Sequence, residues 1–144
     1  MAVGPAGLPK DQENEPDATE LRFPKEFDKH QKDALMNSEV LLLLEHRRQQ
    51  TEDKEDIEDL NNVFLKTLDY CRRMAKFRNR ETIRAVRQTF GNIPLHKFEE
   101  AQLANLVPEG SEEAKALIPS LEDKLTDEEL DEVLKELAAK KTYE

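Results

Sequence analysis

The sequence predicts an all-α protein: a small helical bundle preceded by an extended N-terminal arm and an unusually apolar first helix. Three observations carry this. Only four glycines and no tryptophan occur among 144 residues, while the abundant Glu, Lys, Leu and Ala favour helix over sheet. Apolar residues recur in steps of three and four along several stretches, the spacing of one helix face. Capping residues and breakers flank those stretches, with Asn79, His96 and Thr126 at starts and Gly91 and Pro119 at ends. Hydrophobic and charged residues stand at 37% and 38%, so one compact domain with a modest core and tails is the expectation.

Residues 1–20 read as a disordered acidic tail. Gly4, Pro5, Gly7, Pro9 and Pro16 alternate with Asp11, Glu13, Glu15 and Asp17, leaving too little apolar surface to offset the entropy of ordering. In residues 21–27, Leu21 and Phe23 alternate with polar neighbours, and Phe27 follows. Pro24 biases Phe23 toward an extended shape and excludes a central strand. Such an arm lies either on a partner, for instance along a sheet edge, or back on its own helices.

Asn37 or Ser38 is placed to cap a helix reaching about Gln50, centred on Val40, Leu41, Leu42, Leu43 and Leu44. At 100° per residue those five side chains point all round, whereas a surface helix shows one stripe. Burying each leucine is favourable by about 1.5–3 kcal/mol. The helix therefore runs through the chain's own core, or a partner covers what the chain cannot. The small chain and its polar tail favour the partner. A polar gap at 51–54 closes this arm-and-helix unit, residues 21–54, and the bundle occupies residues 55–144.

The next helix is expected over 55–77, with Ile57, Leu60, Phe64, Leu68, Cys71 and Ala75 as its stripe. Cys71 on that stripe reads as a small buried apolar side chain before a reactive thiol. Asn79 caps residues 80–90 and Gly91 stops them. Ile83, Val86 and Phe90 face inward there, and Arg84 and Arg87 outward. His96 caps residues 97–106, with Glu99 at the third helical position and Phe98, Ala101, Leu103 and Leu106 as the apolar set. Ser111 caps a short helix over 112–118, which Pro119 ends. The run from Thr126 to Glu129 is a capping box opening a last helix whose face is Leu130, Val133, Leu134, Leu137 and Ala138. No internal repeat or sustained heptad is present.

The formal net charge of -10 argues against bulk coating of nucleic acid. The charge is uneven: residues 72–97 hold 8 basic side chains against 1 acidic, between two acidic segments. One cysteine cannot form an internal disulfide, which fits a reducing compartment. No run of about 18 apolar residues exists to span a membrane, and the first residues lack the pattern of a secretory signal. Nucleus and cytosol both stay open on these grounds.

Catalytic constellations are missing from the pattern. Gly91 and Gly110 are isolated and no Gly-Lys-Ser/Thr follows them. His30, His46 and His96 are far apart, and one cysteine cannot supply a zinc cluster, so no metal or cofactor is expected. Asp127, Glu128, Asp131 and Glu132 fall on a solvated helix face, away from any cleft that would tune them for acid–base work. A Cys71–His46 nucleophile pair would lack oxyanion donors. The basic island, with Arg78, Arg80, Arg84 and Arg87 at its centre, is the one polar feature above background. It reads as a contact for RNA or an acidic protein segment, or as internal charge balance against the acidic last helix; the second is the commoner outcome.

Four stretches carry a resemblance to the fourth-subunit family of eukaryotic RNA polymerase II. They are Leu35-Met36-Asn37-Ser38-Glu39-Val40 leading into Leu44-Glu45-His46-Arg47; Phe77-Arg78-Asn79-Arg80-Glu81-Thr82-Ile83; Leu95-His96-Lys97-Phe98-Glu99 through Ala101-Gln102-Leu103-Ala104-Asn105-Leu106; and Glu113-Ala114-Lys115-Ala116-Leu117-Ile118-Pro119-Ser120-Leu121. They stand in the family's order, and the likeness runs from about Leu21 onward. The resemblance implies an HRDC-like helical bundle and a non-catalytic subunit. It implies pairing with the seventh polymerase subunit, a β-rich RNA-binding protein, in a stalk beside the RNA exit channel. Initiation, handling of nascent RNA and a nuclear location, with some cytoplasmic shuttling, follow from the same likeness. Carried over by position, Leu21, Phe23, Phe27 and Val40, Leu41, Leu42, Leu43 and Leu44 are the expected partner interface. The charge-rich inserts of some fungal members are absent. The alternative is a free-standing HRDC-like nucleic-acid-binding module, which the acidic total disfavours.

Overall fold

The computed structural model describes residues 15–29, 34–53 and 61–141. Among them are seven α-helices: α1 (Lys25–Lys29), α2 (Asn37–Asp53), α3 (Asn62–Met74), α4 (Arg80–Thr89), α5 (Lys97–Leu106), α6 (Ser111–Leu117) and α7 (Asp127–Lys140). Two 3-10 turns, Ala18–Glu20 and Pro119–Leu121, join them. No strand occurs among the described residues, only an isolated bridge between Asp17 and Arg22. The all-helical class is therefore as the sequence predicts.

Two apolar clusters organise the molecule. The larger is built from α4 to α7, with Ile83, Val86, Phe90, Leu103, Ala104, Leu121, Leu130, Leu134 and Leu137 buried together. Met36, just before α2, and Phe77, between α3 and α4, complete it. The smaller cluster lies between α2 and α3 and consists of Leu41, Leu68, Cys71 and Ala75, flanked by Val40, Leu44 and Phe64. An Arg72 Nε to Glu45 Oε1 contact of 2.7 Å also ties these two helices. Burial pushes the Cys71 thiol upward, the behaviour of a packed side chain and not of a poised nucleophile.

Local capping follows the sequence at three starts. Asn79 accepts from the Glu81 N–H at 2.7 Å. His96 Nδ1 accepts from Phe98 N–H at 3.0 Å while Glu99 accepts from His96 N–H at 2.9 Å, a reciprocal box. Thr126 accepts from Glu129 N–H at 3.2 Å, but its hydroxyl bonds the Glu129 carboxylate, so only half of that box forms.

Other expectations are corrected. Helix α2 continues through Asp53, so the start of the supposed gap at 51–54 is helical; no glycine or proline interrupts it, and Thr51 bonds the Arg47 carbonyl at 3.0 Å. Helix α3 starts at Asn62, capped by Asn61, and ends at Met74; Ile57 and Leu60 lie outside the described residues. Gly110, whose backbone is extended, and not Ser111 is the N-cap of α6; Ser111 is already helical and its N–H donates to Asp131 of α7 at 2.8 Å. On α5, Leu106 is exposed while Glu99 and Glu100 are buried. Glu99 is held by Ser120 Oγ at 2.6 Å and by the Lys124 ammonium, which binds α5 to the segment before α7. Helix α5 then ends on Val107 with φ 41°, a left-handed conformation costly for a β-branched residue, where Pro108 follows.

Candidate interaction groove

The start of α2 is fixed before its leucines are placed. Asn37 N–H donates to Asn105 Oδ1 of α5 at 2.7 Å. Ser38 is buried and its hydroxyl accepts from Phe77 N–H at 3.1 Å, so its oxygen serves the α3–α4 connection and not an α2 cap. Glu39 reaches back to accept from Met36 N–H at 2.9 Å, the role of a third-position carboxylate. The same Glu39 takes a two-pronged contact from Arg87, Nε at 3.0 Å and Nη2 at 2.5 Å. Arg87 Nη2 also donates to the Ala34 carbonyl at 2.9 Å.

With α2 so clamped to α4, its five apolar residues divide. Leu41 is 7% exposed and joins the small cluster with Val40 and Leu44 at its edge. Leu42 packs on the large core. Leu43 is 59% exposed. The turn is thus not wholly enclosed by this chain. Leu42 and Leu43 line a groove of about 530 Å³ between α2 and α4, whose walls also include Leu35, Glu39, His46, Arg80, Ile83, Arg84 and Arg87. The apolar helix and the basic island, 36 or more residues apart between Leu44 and Arg80, face one another across it.

The basic island is answered piecemeal. Arg72 pairs with Glu45 and Arg73 with Asp69. Arg78 Nη2 donates to the Arg72 carbonyl at 2.6 Å. Arg87, expected outside, is only 21% exposed in its side chain and is engaged by Glu39, with Glu100 4.0 Å away. Arg80 and Arg84 are exposed, and among the described residues no acid pairs with either. The acidic last helix supplies none of these partners; its Asp127, Glu128, Asp131 and Glu132 are solvent-facing.

The arm takes a different place. Leu21 caps the first 3-10 turn with φ 57°, and Asp17 and Arg22 close that loop. Residues 25–29 are helical rather than extended, starting directly after Pro24, where proline suits a first turn. Phe23 stacks on His96 at 4.9 Å and packs on Phe27 at 4.6 Å and Phe98 at 5.2 Å. The arm therefore rests on α5, remote in sequence, with Leu21, Phe23 and Phe27 half-buried.

Sequence reasoning missed Glu39, His46 and Leu35 as wall residues of the groove. A signal existed for Glu39 alone, which stands at the third position of a helix beginning near 36 or 37.

Among the described residues, no cluster of three His, Cys, Asp or Glu side chains is arranged to hold a metal, and no helix is long and apolar enough to cross a membrane. Helices among the described residues enclose a large core and leave an apolar groove rimmed by arginine open. A model of the family described as RNA polymerase Rpb4 matches residues 34–140. The chain is 40% identical over 143 residues to the DNA-directed RNA polymerase II subunit rpb4 of Dictyostelium discoideum, an alignment covering 88% of this chain and 89% of that protein. It is 36% identical over 137 residues to the DNA-directed RNA polymerase II subunit 4 of Arabidopsis thaliana, covering 92% and 98%. With the rpb4 subunit of Schizosaccharomyces pombe the identity is 36% over 134 residues, covering 90% and 95%. The chain belongs to the RNA polymerase Rpb4 family, whose members are accessory and not catalytic subunits of RNA polymerase II.

Proposed function

We propose that this chain is a non-catalytic subunit of nuclear RNA polymerase II and pairs with the seventh subunit to form the stalk. In that role it supports initiation and the handling of nascent RNA. The observation that carries the reading is the open groove beside α2: Leu43 and Leu35 stay exposed in a family of assembled subunits. The proposed interface keeps Val40, Leu42, Leu43 and Leu44, with Leu43 as its most available member, while Leu41 is covered by α3. Leu21, Phe23 and Phe27 join it through whatever surface their packing on α5 leaves open.

The test is co-expression with the seventh subunit, followed by copurification of wild type and Leu43→Asp. Burying an unpaired carboxylate is very costly, so the variant is expected to lose the partner. Leu43 is exposed in the free chain, so folding should survive; Leu42→Asp would also break the pair but enters the chain's own core. Copurification undiminished by Leu43→Asp would end the interface reading.

A second reading, a free-standing nucleic-acid-binding module, is favoured by Arg80 and Arg84, which no described acid neutralises. It requires that the chain alone bind an oligouridine at low salt.

A further inference from the structure

The groove has a polarity that narrows what it can receive. Its apolar lining is aliphatic: Leu35, Leu42, Leu43 and Ile83. Three arginines and one carboxylate share its walls, and Glu39 is already consumed by Arg87. Arg80 and Arg84 are left as two uncompensated cations on one helix, four residues and so about 6 Å of helix rise apart. Single-stranded RNA would seek a longer basic track and rings to stack on. Here His46 is the only ring among the lining residues, and Gln50 already lies 3.1 Å from its Nε2. The total charge of -10 opposes phosphate as well. A protein segment of mixed acidic and apolar character meets both the aliphatic lining and the arginines.

We propose that the groove receives a segment of the partner subunit presenting two carboxylates about 6 Å apart beside apolar side chains. The carboxylates pair with Arg80 and Arg84, and the apolar side chains cover Leu35 and Leu43. Acids two residues apart on a strand, about 6.6 Å, or four apart on a helix, about 6 Å, both fit this spacing. Arginine suits the role because its planar fork binds carboxylate in a fixed geometry. Clamping of Arg87 by Glu39 and Ala34 means that α2 and α4 need no rearrangement to accept it, which lowers the cost of binding. This inference rests on the partner-subunit reading above.

The experiment measures the affinity of the full chain for the purified seventh subunit by titration at two salt concentrations. The variants are Arg80→Glu with Arg84→Glu, the milder Arg80→Gln with Arg84→Gln, and a control, Lys135→Glu, on the exposed face of α7. The charge reversal is expected to weaken the pair at least tenfold and the glutamine pair about threefold, with the control unchanged. Wild type should lose affinity with salt more steeply than either double variant. Circular dichroism melting checks that both still fold, as exposed positions predict. Full affinity in both double variants, with wild type binding normally, overturns the groove assignment and leaves the partner reading intact. Failure of wild type to bind the seventh subunit overturns both. Oligouridine binding that the reversal abolishes while pair affinity is unmoved would make the groove a nucleic-acid surface and overturn the proposal.

Discussion

In the bundle, Leu130, Val133, Leu134 and Leu137 of α7 are all buried in the large core, where α7 packs on α4 and α6. In the α2–α3 hairpin, four residues make the buried cluster, while Leu43, Val63, Leu65, Tyr70 and Met74 remain exposed on the same two helices. What differs is closure: the bundle has helices enough to cover each apolar face, whereas α2 is tied to α4 and α5 near its start and α3 packs mainly on α2, which leaves part of both helices uncovered. An apolar count therefore says how much surface seeks cover, and the number of packed neighbours says whether the chain itself supplies it.

Substitutions can break or sharpen that contrast. The largest effect is expected inside the bundle: Phe77→Ala, at a fully buried side chain, should cost about 3–5 kcal/mol in urea unfolding. Leu43→Ala in the hairpin should stay within about 0.5 kcal/mol. Equal losses at the two sites would dissolve the distinction. Next is Glu99→Ala. Its buried carboxylate serves His96 N–H, Ser120 and Lys124, and removing one partner of a buried pair costs about 3 kcal/mol. A loss below 1 kcal/mol would show that the bundle does not depend on this tie.

Smaller effects refine the picture. Thr126→Ala removes the N-cap of α7 and should cost about 1 kcal/mol; Glu129→Ala should cost less, because no bond from its carboxylate to the Thr126 backbone is present. The last test uses pH. Burial raises the Glu100 carboxyl, against the opposing pull of Lys97 and Arg87. A folded-state value above the unfolded one means that protonation favours the fold. That contribution is present at low pH and is lost as pH rises through the raised value. Glu100→Gln should thus melt at or slightly above wild type at pH 7, and the advantage should shrink toward pH 4. An advantage that grows on acidification would reverse the assignment.

What could be read from the chain alone was local. Asn79, His96 and Thr126 cap helices through atoms two or three residues away, and the stripe of α7 is set by its own period. Arg87 could not be placed, because Glu39 lies 48 residues upstream, and helix periodicity says which face a residue shares but not what meets it. The burial of Glu99 and Glu100 contradicts polarity itself and depends on Ser120, Lys124 and Arg87, contributed by the fold, with only Lys97 nearby in sequence. The groove was legible in halves, as an over-apolar helix and as a basic island, while their juxtaposition was not.

His96 joins two things that a reader of the chain would keep apart. Its ring accepts the Phe98 N–H that opens α5, and the face of that ring carries Phe23 of the arm. Lifting the arm would wet the same imidazole that caps the first turn of α5. Any assembly that borrows residues 21–27 thereby uncovers the face of the His96 ring.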